Sequence, residues 1–305
     1  MCIQIYGFKP SAGRISGQGV VNSLSGVDSI LGTLGPFARS LRDLVLFSKV
    51  YTEAEPWTSD VSIIPYPIGT PLTRAAGRPL RVGIMTDDGV ISPLPPVRSI
   101  VQDVWGKLRA SSLVRVTEFN PLHHDQAWSI ITANYFEGGA TKIRQLCEDG
   151  SEPVLPLTDW ILSTAGANEA ALAETPQERR AARDAFRKIY SDHWNASDVD
   201  VVMAPVTPSV APPLGTSRSW TYTSIWNLLD YPAIAFPASK MIGGQSTDLK
   251  GQSYLPKTEL EAFYYEHYDA EVAQKLPVGL QLVSKRLTEN ELFGAMEVIE
   301  SVLKT

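Results

Sequence analysis

The chain has 305 residues, of which 44% are hydrophobic and 20% charged, with a net charge of −6 and two cysteines. That balance is globular, with length enough for a sizeable core, and an acidic chain without a Lys/Arg cluster excludes phosphate-tracking nucleic-acid binding. Cys2 and Cys147 are too few for a disulfide framework or a thiolate metal site, and no secretory leader or apolar window of ~20 residues is present, so the expectation is a cytoplasmic protein off the membrane with free thiols.

In chain order, Ser40 with Asp43 three residues on reads as a capped helix start. Residues 55–79 are rich in Pro, Gly, Ser and Thr and read as a loop. Residues 80–85 (LRVGIM) form a buried strand, 96–110 a helix with Val97, Ile100, Val101, Val104 and Leu108 on one face, and 114–119 the next strand. The unit has the length of a parallel βαβ crossover.

His123-His124-Asp125 could suggest a metal or acid/base cluster, but neighbours on a helix point apart. A solvated helix start capped by Asp125 is the expectation there. Cys147 stands beside Glu148 and Asp149, a poor setting for a nucleophile.

Thr175, Pro176 and Glu178 form a capping box that opens a helix over 175–195, its apolar stripe Ala182, Phe186, Ile189, Tyr190 and Trp194. Asp192-His193 within it reads as a surface pair, since adjacent positions cannot build a triad. A strand over 200–204 stops at Pro205, and the Pro-rich 206–214 reads as a loop leaving it. Residues 234–236 and 278–283 are further strands, with a loop over 241–259 between them. His267, among Tyr264, Tyr265 and Tyr268, is placed for a cleft. Thr288 and Glu291 predict a capped helix through Leu292, Met296, Ile299 and Leu303. Loops of such length often line a cleft. The alternation gives one α/β unit over 1–305, a mixed β-sheet flanked by helices.

The generic catalytic signatures are absent: no Gly-x-Ser-x-Gly, phosphate-binding loop, His-Glu-x-x-His or Cys-x-x-Cys occurs. Physics alone gives an α/β protein without a stated activity.

Ordered landmarks add to that. They are residues 6–14 (YGFKPSAGR), 35–40 (GPFARS) with Asp43-Leu44, Trp194-Asn195, Asp200-Val201 with Ala204-Pro205, 227–233 (NLLDYPA), 277–283 (PVGLQLV) and 289–291 (ENE). Together they resemble the amidase-signature family, in order and wording most of all its fungal acetamidases and general amidases. The resemblance implies carboxamide hydrolysis through a serine acyl-enzyme, with a lysine acting on a bridging serine in a cis peptide and backbone N–H groups holding the oxyanion. It places those catalytic elements before the Lys-Pro-Ser-x-Gly-Arg landmark. The chain therefore reads as the C-terminal, N-terminally incomplete portion of the fold, with no catalytic residue carried over. Lys9 matches a structural lysine, and Ser11 and Ser16 match no catalytic serine.

Within this resemblance Gly7, Gly13 and Gly35 serve turns or close approaches, and Arg39 with Asp43 serves a cap or ion pair. Trp220, Tyr222, Trp226 and Asn227 are the substrate-cleft candidates, core packing being their other reading. A small-molecule amide is the implied ligand, with no cofactor and no metal, and the implied setting is nitrogen use or a specialised-metabolite pathway. The alternative is a truncated, inactive remnant or a non-catalytic binding protein. An incomplete fold would also uncover apolar core, favouring homo-oligomers or hydrophobic association.

Overall fold

The computed structural model describes residues 5–21, 26–72, 77–136, 141–166, 173–242 and 255–304. Its strands are β1 (Tyr6–Lys9), β2 (Phe37–Ala38), β3 (Leu80–Ile84), β4 (Val114–Glu118), β5 (Val201–Pro205), β6 (Ala233–Phe236) and β7 (Leu280–Val283). They form one sheet in the order β2-β1-β6-β7-β5-β3-β4. β4, β3 and β5 run parallel, whereas β5–β7, β7–β6, β6–β1 and β1–β2 pair antiparallel.

Helices α1 (Leu41–Glu53), α2 (Pro95–Ala110), α8 (Ala238–Ile242), α10 (Ala270–Ala273) and α11 (Glu289–Leu303) contribute to the core on one face of the sheet. The other face is covered by α3 (His124–Tyr135), α6 (Pro176–Ala196), α7 (Thr221–Leu228) and α9 (Glu259–Glu266). Two further helices, α4 (Thr141–Asp149) and α5 (Pro156–Gly166), lie between α3 and α6 in the chain. Strand β5 shows why both faces need cover. Val201 and Met203 point into one core while Val202 and Ala204 point into the other, and all four are buried.

The β3–α2–β4 crossover forms as the pattern predicts, with Val97, Ile100, Val101, Val104 and Leu108 buried on α2. Arg78 and Arg81 both reach Asp200, tying the start of β3 to the start of β5. Burial would raise the Asp200 carboxyl, but hydrogen bonds from these two guanidinium groups hold it well below the usual range. Ser40 caps α1 by accepting from Asp43 N, and the Thr175–Glu178 box forms in both directions. Gly35 carries a close approach, since a Cβ there would lie 1.8 Å from the Phe8 carbonyl oxygen.

Four expectations need correction. His124 is buried, not solvated, and α3 begins after a left-handed His123 with no side-chain cap. Ile189 is 52% exposed, outside the buried stripe of Phe186, Tyr190 and Trp194 on α6. Thr288 does not cap α11; its hydroxyl turns back to the Lys285 carbonyl at 2.6 Å. The stretch 55–79 holds a short 3-10 turn, Pro56–Thr58. Most of the predicted loop 241–259 lies outside the described residues, as does Cys2.

Candidate functional site

Helix α7 and Trp220, the residue at its N-cap, carry the four cleft candidates and split them by depth. Tyr222 and Trp226 are each 1% exposed and belong to the core. The Tyr222 hydroxyl donates to Ile91 O at 2.7 Å and accepts from Asp88 N at 3.3 Å. The Trp226 ring stands edge-on to His124 and Tyr190. Trp220 and Asn227 are half-buried. Trp220 meets Trp128 of α3 and Trp160 of α5 edge-to-face, with ring centroids 6.3 and 6.1 Å apart. Both partners are half-buried too. At the far end of α7, Asn227 Nδ2 donates to the Tyr135 hydroxyl at 2.7 Å. Burial pushes that phenol up to about 12, against the Asn227 contact.

A polar network anchors this helix to the sheet. Asp88, 1% exposed, accepts from Val90 N and Ile91 N at 2.9 Å and from Thr221 Oγ1 at 2.5 Å. Burial raises its carboxyl to about 6, and those hydrogen bonds oppose the rise. Gln281 Nε2 donates to the carbonyls of Pro205 and Tyr222 at 2.7 and 2.8 Å, joining β5, β7 and α7. Glu261 of α9 accepts from Ser92 N at 2.8 Å and Lys257 N at 2.7 Å. These acceptors hold backbone, so the network positions α7 and the loop after β3.

The loop 206–214 lines a cleft, as its composition suggests. A cavity of about 510 Å³ lies between it and the α9–α10 region, with Leu94, Val210, Pro212, Tyr264, His267 and Val272 among its walls. His267 Nδ1 meets Phe263 O at 2.8 Å, a partner not legible in the sequence.

The Lys-Pro-Ser-x-Gly-Arg segment instead stitches the chain together. Ser11 N donates to Glu289 Oε1 at 3.0 Å, and Ser11 Oγ accepts from Leu287 N at 2.9 Å. Arg14 lies 3.4 Å from Glu289 with both side chains sealed from water. Ala12 N donates to Asp230 Oδ1 at 2.7 Å, and Asp230 also accepts from Arg286. Ser16 Oγ bonds Asp60. Burial pushes the Lys9 ammonium down to about 8, opposed by Asp230 and Glu289. His193 Nε2 meets Asn120 O at 2.8 Å, and Asp192 pairs with Lys188. No group of three or more His, Cys, Asp or Glu suited to a metal occurs among the described residues. No described helix is long and apolar enough to cross a membrane.

Trp128 and Trp160 escaped the sequence reading. Seven tryptophans are visible in the sequence, but periodicity does not say which of them meet.

Compared with known proteins, the amidase family pattern matches residues 1–293. A Schizosaccharomyces pombe protein, an amidase by designation only, is 38% identical over 98% of this chain and 55% of its own length. The acetamidase of Emericella nidulans is 27% identical over 98% of this chain and 56% of its own. A solved fatty acid amide hydrolase superposes with a TM-score of 0.86 at 31% identity, covering 99% of this chain and 53% of that one. The chain thus spans little more than half the length of each.

Proposed function

The chain belongs to the amidase family, and on that premise we propose that it forms the substrate-facing part of a carboxamide hydrolase, splitting the C–N bond to a carboxylate and ammonia or an amine. One observation carries the reading: Trp128, Trp160 and Trp220 stay half-buried, with Trp220 in edge-to-face contact with each of the other two. Trp194 and Trp226 are each 1% exposed in the core, whereas these three are only half-buried. An aromatic wall of this kind suits an amide with an aryl or apolar substituent. At the other end of α7 the Asn227–Tyr135 pair supplies polar groups for a carboxamide. A cytoplasmic location and a role in nitrogen use or specialised metabolism belong to the same proposal.

The second reading is an inactive remnant or a binding protein. It applies if the chain acts on its own, because no Gly-Ser-Ser-Gly-Gly stretch occurs in these 305 residues. Without nucleophile and oxyanion donors the acyl-transfer barrier stays high. The deciding assay is ammonia release from aliphatic and aryl amides by the chain alone, and by the chain fused behind the preceding portion of the S. pombe relative. The fused form should turn over aryl amides, with Trp220→Ala raising KM about tenfold, while the chain alone stays inactive. An inactive fused form would favour the remnant. Turnover by the chain alone, abolished by alanine at one of its serines, would show a nucleophile that the family resemblance does not predict.

A further inference from the structure

We infer, resting on the proposed carboxamide site, that Arg218 and Ser219 recognise a carboxylate on the substrate, so that the preferred amides carry an anionic group away from the scissile bond. The two residues directly precede Trp220. Their backbone N–H groups both donate to the Tyr264 hydroxyl, at 3.0 and 2.9 Å, which fixes this turn against α9. The Arg218 guanidinium then lies over the Phe263 ring, 4.4 Å from its centroid.

That cation has no carboxylate within ion-pair distance among the described residues, unlike Arg78 and Arg81, which reach Asp200. Its Nε and the Ser219 hydroxyl oxygen are buried without a hydrogen-bond partner among the described residues. Glu261 holds the backbone of Ser92 and Lys257, and Glu259 and Glu266 are exposed.

An aromatic face attracts a guanidinium but accepts no in-plane hydrogen bonds, so the edge of the fork stays unsatisfied. A carboxylate matches that edge with two parallel acceptors, and the Ser219 hydroxyl can donate a third bond. Arg218 is half-buried, so part of the side chain outside the buried Nε remains exposed. A neutral amide on the aromatic wall leaves these donors empty. An amide with a terminal carboxylate fills them, and a site built to pair a polar group discriminates strongly against the analogue lacking it.

The test compares two ligands of one shape, 4-carbamoylbenzoate and 4-methylbenzamide, titrated into the 305-residue chain by calorimetry and tryptophan fluorescence. The carboxylate ligand should bind at least about tenfold more tightly, and Arg218→Gln should remove the preference while leaving 4-methylbenzamide affinity within about threefold. Equal affinities in the unaltered chain, or an undiminished preference in Arg218→Gln, overturn the inference and leave the aromatic wall standing. Binding of neither ligand overturns the wall and the inference together. If the glutamine variant loses 4-methylbenzamide as well, salt decides on the unaltered chain. A preference that shrinks between about 0.05 and 0.5 M salt supports the assignment, and one that does not shrink overturns it.

Discussion

Two buried ionisable residues on the helix-α7 side of the sheet should make stability nearly level in mild acid by opposing each other. Asp88 titrates at 3.8 when unfolded and about 6 when folded, because burial disfavours its charge. The folded chain therefore binds the extra proton between those values, and stability falls as pH rises through them. His124 is 3% exposed, its Nε2 in contact with the Tyr190 hydroxyl at 3.0 Å. Burial pushes it from 6.5 down to about 4, against the pull of Asp125. Here the unfolded chain binds the extra proton, so stability falls as pH drops from 6.5 to 4. Each slope amounts to about 3 kcal/mol in total. Asp88→Asn should expose the His124 slope, and urea midpoints should drop on acidification. His124→Gln should expose the opposite slope. Identical pH profiles for all three proteins would rule out the buried charges as the cause.

At the scale of elements, α6 shows how an exposed start can support a buried end. Thr175 Oγ1 accepts from Glu178 N at 3.2 Å, and the Glu178 carboxylate accepts from Thr175 N at 2.7 Å. Both groups are exposed, yet the helix they start delivers Phe186, Tyr190 and Trp194 to the core beneath α3 and α7. Thr175→Ala should cost about 1 kcal/mol, read as a lower urea midpoint with unchanged slope. Amide exchange should speed up in the first turn, while the Trp194 end keeps its protection. Uniform acceleration along α6 would mean that the box governs the whole helix.

For the whole molecule, the edge at β2 is the conspicuous surface. Phe37 on β2 is 70% exposed, and Leu46, Phe47 and Val50 on the outer side of α1 are 56%, 41% and 56% exposed. A terminal strand pair beside such a helix face favours association. The isolated chain should bind a hydrophobic dye and sediment in a concentration-dependent way. Replacing Leu46 and Val50 together by Gln should reduce both effects without shifting the unfolding midpoint by more than about 0.5 kcal/mol. A monodisperse chain that ignores the dye would sink this proposal.

Local chemistry made much of this molecule legible in advance. The box at Thr175, the cap at Ser40, the apolar face of α2 and the buried runs of β3, β5 and β7 depend on residues within a few positions of one another, and they form. The ordered landmarks likewise marked the amidase family without any contact being known. What stayed hidden depends on partners distant in the chain. Nothing near His124 announces that Tyr190, 66 residues on, will shield it. Nothing near Ser11 announces that Leu287 and Glu289, more than 270 residues away, will take its polar groups. The tryptophan wall arises the same way, because α3, α5 and α7 meet only after the sheet has set their positions. Periodicity says which side of an element is apolar; packing of distant elements decides which apolar side chains close over one another and which stay half-exposed.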